Sequence, residues 1–321
     1  MSIPARGPEG RSVVRTVKGF FLAVTVVSVP CLLLGIGTLR AQPDKSDPHR
    51  PVPATDVVLV KKITLKGGRP PGAGGGNRKA RTATGLLGEP CGGTKYAIVV
   101  GISNYPGTLN DLEYAAKDAE DMTRVLATVY GFSNITTLEN ENATRDAILS
   151  AIETLSGEVG PEDEVVFFFS GHGMNGVADD GDTERNDVAI AARDYLRILP
   201  IWDGELRQAF SGFATSRIIF IFDCCFAGGM DVLEEPGRVI LMASGERGYA
   251  YEGDEWYNGE FTYYLIEGIQ DGQAGVYDYD RDGVLAEPAQ VTAEEAFDYA
   301  RAHCDADKPV IADSFPGDLL P

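Results

Sequence analysis

Two short segments of this chain carry side chains suited to nucleophilic chemistry. Ser170-Gly171-His172-Gly173 follows the apolar run EVVFFF, and Asp223-Cys224-Cys225 follows the apolar run IIFIF. A cysteine attacks a carbonyl as its thiolate, and a neighbouring imidazole can stabilise that thiolate and protonate the leaving amine. Glycines beside the histidine allow close approach of a substrate backbone and leave an N–H for a developing oxyanion. The two segments therefore predict acyl transfer, provided that the fold brings them together.

The pattern of strands and helices around these two segments predicts that the fold brings them together. From Lys95 onward, short apolar runs alternate with amphipathic patterns of ten or more residues. The predicted strands are KYAIVVG, NITTLE, EVVFFFSGHG, RIIFIFDCC and RVILMASG, and the predicted helices are LEYAAKDAEDMTRVLATVYG, ATRDAILSAIETLSG, DGELRQAFSGF, GEFTYYLIEGI and TAEEAFDYARAHC. Strands that are apolar throughout and separated by helices indicate a parallel sheet covered on both faces. Ligands bind at the carboxyl ends of such strands, where His172 and a cysteine would meet.

The charge of the chain is divided between two regions. The first 95 of the 321 residues hold 15 Lys and Arg against 5 Asp and Glu, whereas the rest holds 13 against 43. An acidic body repels nucleic acid and anionic lipid, so no nucleic-acid partner is expected. Five cysteines are too few for a disulfide scaffold, and Cys91 and Cys304 are left open as free thiols or a pair.

The basic leader predicts export. Residues 1–18 are basic, and residues 19–39 form an uncharged run of 21 residues, longer than most cleaved signal peptides and long enough to span a bilayer. The run is either a signal anchor, which its length favours, or a cleaved signal peptide. In both cases the body is expected outside the cytoplasm, as a single-pass membrane-anchored or a secreted protein.

Residues 40–94 are rich in Pro and Gly and predict a basic linker, in which DVVLVKKITL is the only strand-like piece. Arg78, Lys79 and Arg81 lie in this linker. We hypothesise that the protein releases itself from its leader by cutting there. No basic residue lies between Gly229 and Gly237, so cleavage between the two halves of the body is not required.

The two reactive segments also resemble those of a known family. His172 and Cys225 lie 53 residues apart, close to the spacing of roughly 50 residues known for caspases. SGHG and DCCFAG resemble the two catalytic motifs of the caspase-like cysteine peptidases, closest to the metacaspase and bacterial orthocaspase branch. KYAIVVGISNYPG, LEYAAKDAEDM and RVILMASGERGYAYEGDEWYNGEFTYYLIEGI resemble further segments of that family, so the similarity runs from Lys95 to the C-terminus.

The resemblance implies an α/β fold, a three-layer α/β/α sandwich with a mostly parallel sheet of about six strands. The peptidase domain would cover residues 95–321, with a large-subunit-like part at 95–229 and a small-subunit-like part at 238–321. It also implies that Cys225 is the nucleophile, that His172 is the general acid and base, and that the backbone N–H groups of Gly173 and Cys225 hold the oxyanion. Cys224 is then structural or a redox partner.

The resemblance further implies an endopeptidase that cleaves polypeptides after Arg or Lys. Asp118, Ser170 and Asp223 match the residues that bind a basic side chain in metacaspases. A buried pair of carboxylates is costly unless a cation arrives, which is a physical reason for such a pocket to select ammonium or guanidinium. Two alternatives stay open, an Asp-specific peptidase and a catalytically silent, calcium-responsive binding module of the same fold.

No cofactor is required for this chemistry, but Ca²⁺ is a candidate ligand. Asp278, Asp280, Asp282 and Gly283 reproduce the first half of an EF-hand loop, and Glu295 is the candidate for its last carboxylate. Asp187, Asp203 and Asp231 lie near the aspartates of the activating calcium site of metacaspases and form a weaker second prediction.

Overall fold

The computed structural model describes residues 49–66, 81–181 and 186–321. The predicted leader, residues 1–18 and 19–39, lies outside these residues, as do Arg78 and Lys79 of the predicted cleavage region. Within the described ranges, no helix combines the length and the apolar character needed to cross a bilayer.

Thirteen strands and five α-helices are numbered along the described chain. The strands are β1 Ala54–Val60, β2 Ile63–Leu65, β3 Lys95–Gly101, β4 Asn134–Glu139, β5 Glu164–Ser170, β6 Gly173–Ala178, β7 Asp187–Arg193, β8 Ile198–Trp202, β9 Ile218–Asp223, β10 Arg238–Met242, β11 Tyr251–Gly253, β12 Asn258–Gly259 and β13 Val310–Asp313. The helices are α1 Ala115–Thr128, α2 Arg145–Ser156, α3 Asp203–Phe210, α4 Glu260–Gln270 and α5 Ala293–His303.

A six-stranded sheet in the order β13-β10-β9-β5-β3-β4 forms the centre of the fold. All pairs in it are parallel except β13 with β10. The five strands predicted from apolar runs are β3, β4, β5, β9 and β10. The expected α/β fold with a mostly parallel sheet of about six strands is confirmed.

Helices cover both faces of this sheet. Side chains of α2 and α3 pack on one face with Phe167, Phe220 and Phe222, whereas α1, α4 and α5 pack on the other. The predicted helices are all present, with ends set by local signals. Helix α2 begins after Thr144, whose hydroxyl accepts the Ala147 N–H, and α5 begins with a reciprocal cap between Thr292 and Glu295.

The register between the central strands β5 and β9 determines which residues lie side by side at the edge of the sheet. Strands β5 and β9 pair in parallel with Phe169 opposite Phe222 and Ser170 opposite Asp223. Because both strands end at the same level, the histidine and cysteine segments leave the sheet side by side, as the parallel-sheet prediction requires.

Two smaller sheets lie beside the central one. Strands β1, β6, β7 and β8 form an antiparallel sheet, and β12, β11 and β2 form a three-stranded sheet. Strands β1 and β2 belong to residues 54–65, inside the region predicted as a linker. This part of the predicted linker is therefore built into two sheets, which the Pro/Gly content around it obscured.

Candidate active site

Cys225 lies just past the carboxyl end of β9 and is almost fully buried. Its Sγ accepts a hydrogen bond from the Ala250 N–H at 3.2 Å. Phe226, the next residue, has a φ of 63°, a left-handed conformation that is costly for a bulky side chain and turns the chain sharply after the thiol. Burial raises the pKa of the Cys225 thiol to about 12, so in this state it is protonated at neutral pH.

His172 is held by contacts on both of its ring nitrogens. Nε2 lies 2.8 Å from the Asn110 carbonyl oxygen, and Nδ1 accepts the backbone N–H of Lys62 at 2.9 Å. An acceptor at Nδ1 and a carbonyl at Nε2 require the neutral tautomer protonated on Nε2. The ring stacks on Tyr105 with centroids 4.7 Å apart. Burial lowers the pKa of His172 to about 4, and the charges of Lys61 and Lys62 act in the same direction.

One peptide group touches both reactive side chains. The Lys61 carbonyl oxygen lies 3.2 Å from Cys225 Sγ, and the N–H of the same peptide bond, from Lys62, donates to His172. Gly173 completes this site, because a Cβ placed on it would overlap the carbonyl oxygen of Cys225. The structure thus brings His172, Gly173 and Cys225 together around a backbone segment.

The pocket residues are brought together as well, and a lysine of the same chain fills the pocket. Lys62 Nζ lies 2.7 Å from Asp223 Oδ1, 3.1 Å from Ser170 Oγ and 3.5 Å from Asp118 Oδ2. The Lys62, Asp118 and Asp223 side chains are all fully inaccessible to solvent. Asp118, Ser170 and Asp223 therefore form one cation-binding pocket beside Cys225.

Further residues orient the two carboxylates. Asp223 Oδ2 accepts from Thr262 Oγ1 at 2.6 Å and from its N–H at 3.2 Å. Asp118 Oδ1 accepts from Asn258 Nδ2 at 3.0 Å and from the Gly259 N–H at 2.8 Å. With one oxygen of each carboxylate held from behind, the other points at the ammonium group.

The charges in the pocket depend on one another. Burial disfavours the charged form of Lys62, but the attraction of Asp223 and Asp118 outweighs it and raises the pKa of Lys62 above its ordinary value. Burial raises the pKa of Asp118 to about 7, an effect that Lys62 opposes and Asp223 reinforces. The lysine stays charged, and Asp118 is easier to protonate than an ordinary aspartate because a second buried carboxylate lies beside it.

Cys224 does not share this environment. It packs in the apolar cluster on the opposite face of the sheet from Cys225. Its thiol is fully buried, which favours the structural role over the redox role. Cys91 and Cys304 are both free thiols, so the open question of a pair between them is answered in favour of free cysteines.

The first calcium prediction needs a correction. Asp278, Asp280 and Asp282 do lie together, with one carboxylate oxygen from each within 4.8 Å of the others. Glu295 is not part of this group, because its carboxylate caps α5 at Thr292 and accepts the N–H groups of Val276 and Tyr277. Its use in a helix cap is incompatible with the predicted ligand role.

The second calcium prediction is also corrected in one residue. Asp187 and Asp203 lie together, both fully buried, but their neighbour is Asp180 rather than Asp231. Asp231 lies in the short helical segment Ala227–Leu233, where Glu246 and Glu234 are its charged neighbours. Asp180 Oδ1 is buried and has no hydrogen-bond partner among the described residues, so this set offers a ligand atom to a cation.

Sequence reasoning missed five residues of the site: Lys62, Tyr105, Asn110, Asn258 and Thr262. Asn110 and Lys62 act here through backbone atoms that touch the histidine, which no side-chain pattern can reveal. The tyrosine of the segment NYPG was available as a signal, because an aromatic residue after the first strand stacks readily on a neighbouring ring. Lys62 is one of the two lysines in the only strand-like piece of the predicted linker.

Comparison with known proteins gives a consistent family. Residues 95–234 match the family described as "Metacaspase, peptidase C14 domain". Metacaspase-1 of Schizosaccharomyces pombe is 31% identical over 194 residues, covering 54% of this chain and 44% of the relative. Metacaspase-1 of Saccharomyces cerevisiae is 29% identical over 157 residues, covering 46% of this chain and 36% of the relative. The chain spans less than half the length of these curated relatives.

A solved structure supports the fold independently. The crystal structure of a Geobacter sulfurreducens protein from a structural genomics programme superposes with a TM-score of 0.53. The match covers 70% of this chain and 95% of that one, at 18% sequence identity. Identity this low bears on the fold alone.

Proposed function

We propose, from the match of residues 95–234 to the metacaspase, peptidase C14 domain, that this chain hydrolyses polypeptides on the carboxyl side of Lys or Arg. The observation that carries this proposal is the lysine ammonium held by Asp118, Ser170 and Asp223 beside Cys225. A carboxylate pair that encloses a cation in this way would repel an aspartate side chain, which argues against the Asp-specific alternative.

The chemistry of the proposed reaction follows from the positions of the two side chains. His172 takes the thiol proton, and the Cys225 thiolate attacks the carbonyl carbon of the residue whose side chain fills the pocket. The N–H groups of Gly173 and Cys225 are the proposed oxyanion donors. His172 then protonates the leaving amine, which leaves an acyl-enzyme. Water, deprotonated by the same histidine, releases the peptide acid and restores the thiol.

The test of the catalytic roles uses the adjacent cysteine as a matched control. We expect that Cys225→Ala and His172→Ala each abolish hydrolysis of an arginine peptide amide, whereas Cys224→Ala keeps most of it. The measurement is the rate of amide hydrolysis by purified full-length chains with matched circular dichroism, each carrying Lys62→Ala so that Lys62 does not fill the pocket. If Cys224→Ala were the inactive variant, the nucleophile would be misassigned. A protein of the silent binding type would show no hydrolysis and no labelling of Cys225 by a thiol-reactive peptide probe.

The specificity is tested with a set of otherwise identical peptides, in the same Lys62→Ala background. Arg and Lys at the cleaved position should be hydrolysed far faster than Asp, and faster than citrulline, which has the shape of arginine without its charge. Faster cleavage of the Asp peptide would support the Asp-specific alternative instead.

We also propose that calcium binds to this protein. The two candidate sets are Asp180 with Asp187 and Asp203, and the exposed loop of Asp278, Asp280 and Asp282. Oxygen-rich sets of this kind suit a hard cation. Calorimetric titration with Ca²⁺ tests the proposal, with Asp180→Asn and Asp280→Asn each expected to remove one binding event and the exposed Asp146→Asn expected to remove none. Unchanged heats in both site variants would exclude these sets.

Export, anchoring by residues 19–39 and self-cleavage near Arg78, Lys79 and Arg81 remain proposals of the same kind. Arg81 is exposed in the structure, as a cleavage region has to be. Terminal sequencing of the wild-type and Cys225→Ala chains after expression tests the self-cleavage. An intact linker in both forms would refute it.

A further inference from the structure

The occupant of the candidate active site is a strand of the same chain. Val60 of β1 pairs with Gly173 of β6, next to His172, and Ile63 of β2 pairs with Tyr251 of β11. Between them, the Lys61–Lys62 peptide group covers Cys225 and His172, and the Lys62 side chain fills the pocket. Backbone pairing on both sides and a buried ion pair in the middle hold this segment over the cleft.

The direction of this strand is opposite to that of the proposed substrate. In the proposed reaction the amine leaves beside His172. The residues after the cleaved bond therefore lie on the His172 side of the cleft, and the residues before it lie on the other side, along β11. Here the residues before Lys62 run along β6, which follows His172, and the residues after Lys62 run parallel to β11. The segment therefore places a lysine in the pocket but reverses the backbone.

The hydrogen bonds at the reactive groups have the wrong polarity for cleavage. The protonated Cys225 thiol faces the Lys61 carbonyl oxygen, whereas attack requires the sulfur to face the carbon and the oxygen to face the N–H donors. His172 Nδ1 accepts a hydrogen bond from the Lys62 N–H, whereas a leaving amine requires a proton from the histidine. Neither group is arranged to cut the bond that it touches.

We propose that residues 54–65 are a built-in inhibitor, a lysine-bearing strand that occupies the cleft in the reverse direction of a substrate and keeps the full chain latent. The proposal rests on the proposed function for the assignment of the pocket. It adds that the cleft can bind a peptide that runs in the reverse direction of a substrate. Activation then requires that this strand leave the cleft, and cleavage in the linker alone would leave it bound through its pairs with β6 and β11.

The test compares the accessibility of Cys225 with its activity in full-length chains. Lys62→Ala removes the buried ion pair, Lys62→Arg keeps it, and Lys66→Ala removes the lysine just after this segment, which makes only an exposed ion pair with Glu113. We expect iodoacetamide to alkylate Cys225 at least tenfold faster in Lys62→Ala than in the wild type, as read by peptide mapping. Lys62→Arg and Lys66→Ala should stay at the wild-type rate.

A second variant keeps the test decisive if Lys62→Ala does not fold. Ile63→Pro removes the N–H that bonds to the Ala250 carbonyl at 2.9 Å and leaves every pocket residue in place. It should speed alkylation in the same way. Equal rates in the wild type and in a folded release variant would overturn the inhibitor.

Two further outcomes separate this proposal from the proposed function. Cleavage after Lys61 or Lys62 in the wild type but not in Cys225→Ala would show that the segment is a substrate, which overturns the inhibitor and supports peptidase activity. Fast alkylation in Lys62→Ala without hydrolysis of any peptide would support the inhibitor and count against the proposed function.

Discussion

Asp223 offers the most direct test of how the pocket recognises charge. Its Oδ1 makes the shorter of the two carboxylate contacts to the Lys62 ammonium, 2.7 Å against 3.5 Å for Asp118, and neither carboxylate is exposed to solvent. Asp223→Asn keeps the shape of the side chain, but its single amide oxygen can accept either from Thr262 or from the ammonium group. The substitution therefore removes one negative charge and one of the two acceptors.

The magnitude follows from what remains in the pocket. Removing one partner of a buried ion pair costs about 3–5 kcal/mol when the other charge is left uncompensated. Here Asp118 and the Ser170 hydroxyl, 3.1 Å from the ammonium, still solvate the cation, so about 2–3 kcal/mol is the expected loss. At 1.36 kcal/mol per factor of ten, that is a loss of roughly 30- to 150-fold in kcat/KM for arginine substrates.

The assay measures a ratio, so that changes in folding or in the amount of active enzyme cancel. In the Lys62→Ala background, where the strand should not compete, kcat/KM is measured for matched arginine and citrulline peptides. The preference for arginine should fall by that factor in Asp223→Asn, while the rate with citrulline stays nearly constant. An unchanged ratio would refute the assignment of Asp223 to charge recognition.

Other consequences can be checked with single variants. In the Lys62→Ala background, Gly173→Ala should abolish activity while the chain stays folded, because the added methyl group would displace the Cys225 carbonyl; undiminished turnover would contradict the close approach. Since burial holds the pKa of Cys225 near 12, alkylation of the wild-type thiol should still be rising at pH 10, whereas a plateau near pH 9, as for an ordinary cysteine, would show that the thiol is not covered. Phe220→Ala should lower the free energy of unfolding by about 3–5 kcal/mol in urea titrations, because this side chain is fully buried among Phe167, Phe210 and Phe222; a loss below about 1 kcal/mol would mean that the core refills the cavity.

Much of the fold could be predicted because its signals are local. Apolar runs such as those of β5 and β9 and the caps at Thr144 and Thr292 lie within a few residues of the elements that they define. The parallel order of these strands then places His172 and Cys225 at one edge without knowledge of any side-chain contact. The antiparallel strands β6 to β8 were not among the predicted strands. The sequence of β6, GMNGVA, is mixed and carries no such pattern, whereas the apolar runs VAIAA in β7 and ILPIW in β8 were overlooked.

What the sequence determined by itself is the set of groups able to react and the sheet edge where they meet. Only the tertiary structure decided which groups face one another, because those contacts join residues far apart in the chain: Lys62 and Asp223 are 161 positions apart. It also decided that Asp180, and not Asp231, accompanies Asp187 and Asp203, and that Glu295 caps a helix instead of joining the acidic loop. The direction of a strand in a cleft leaves no trace in composition or periodicity, so the reversed segment over Cys225 could be seen only in three dimensions.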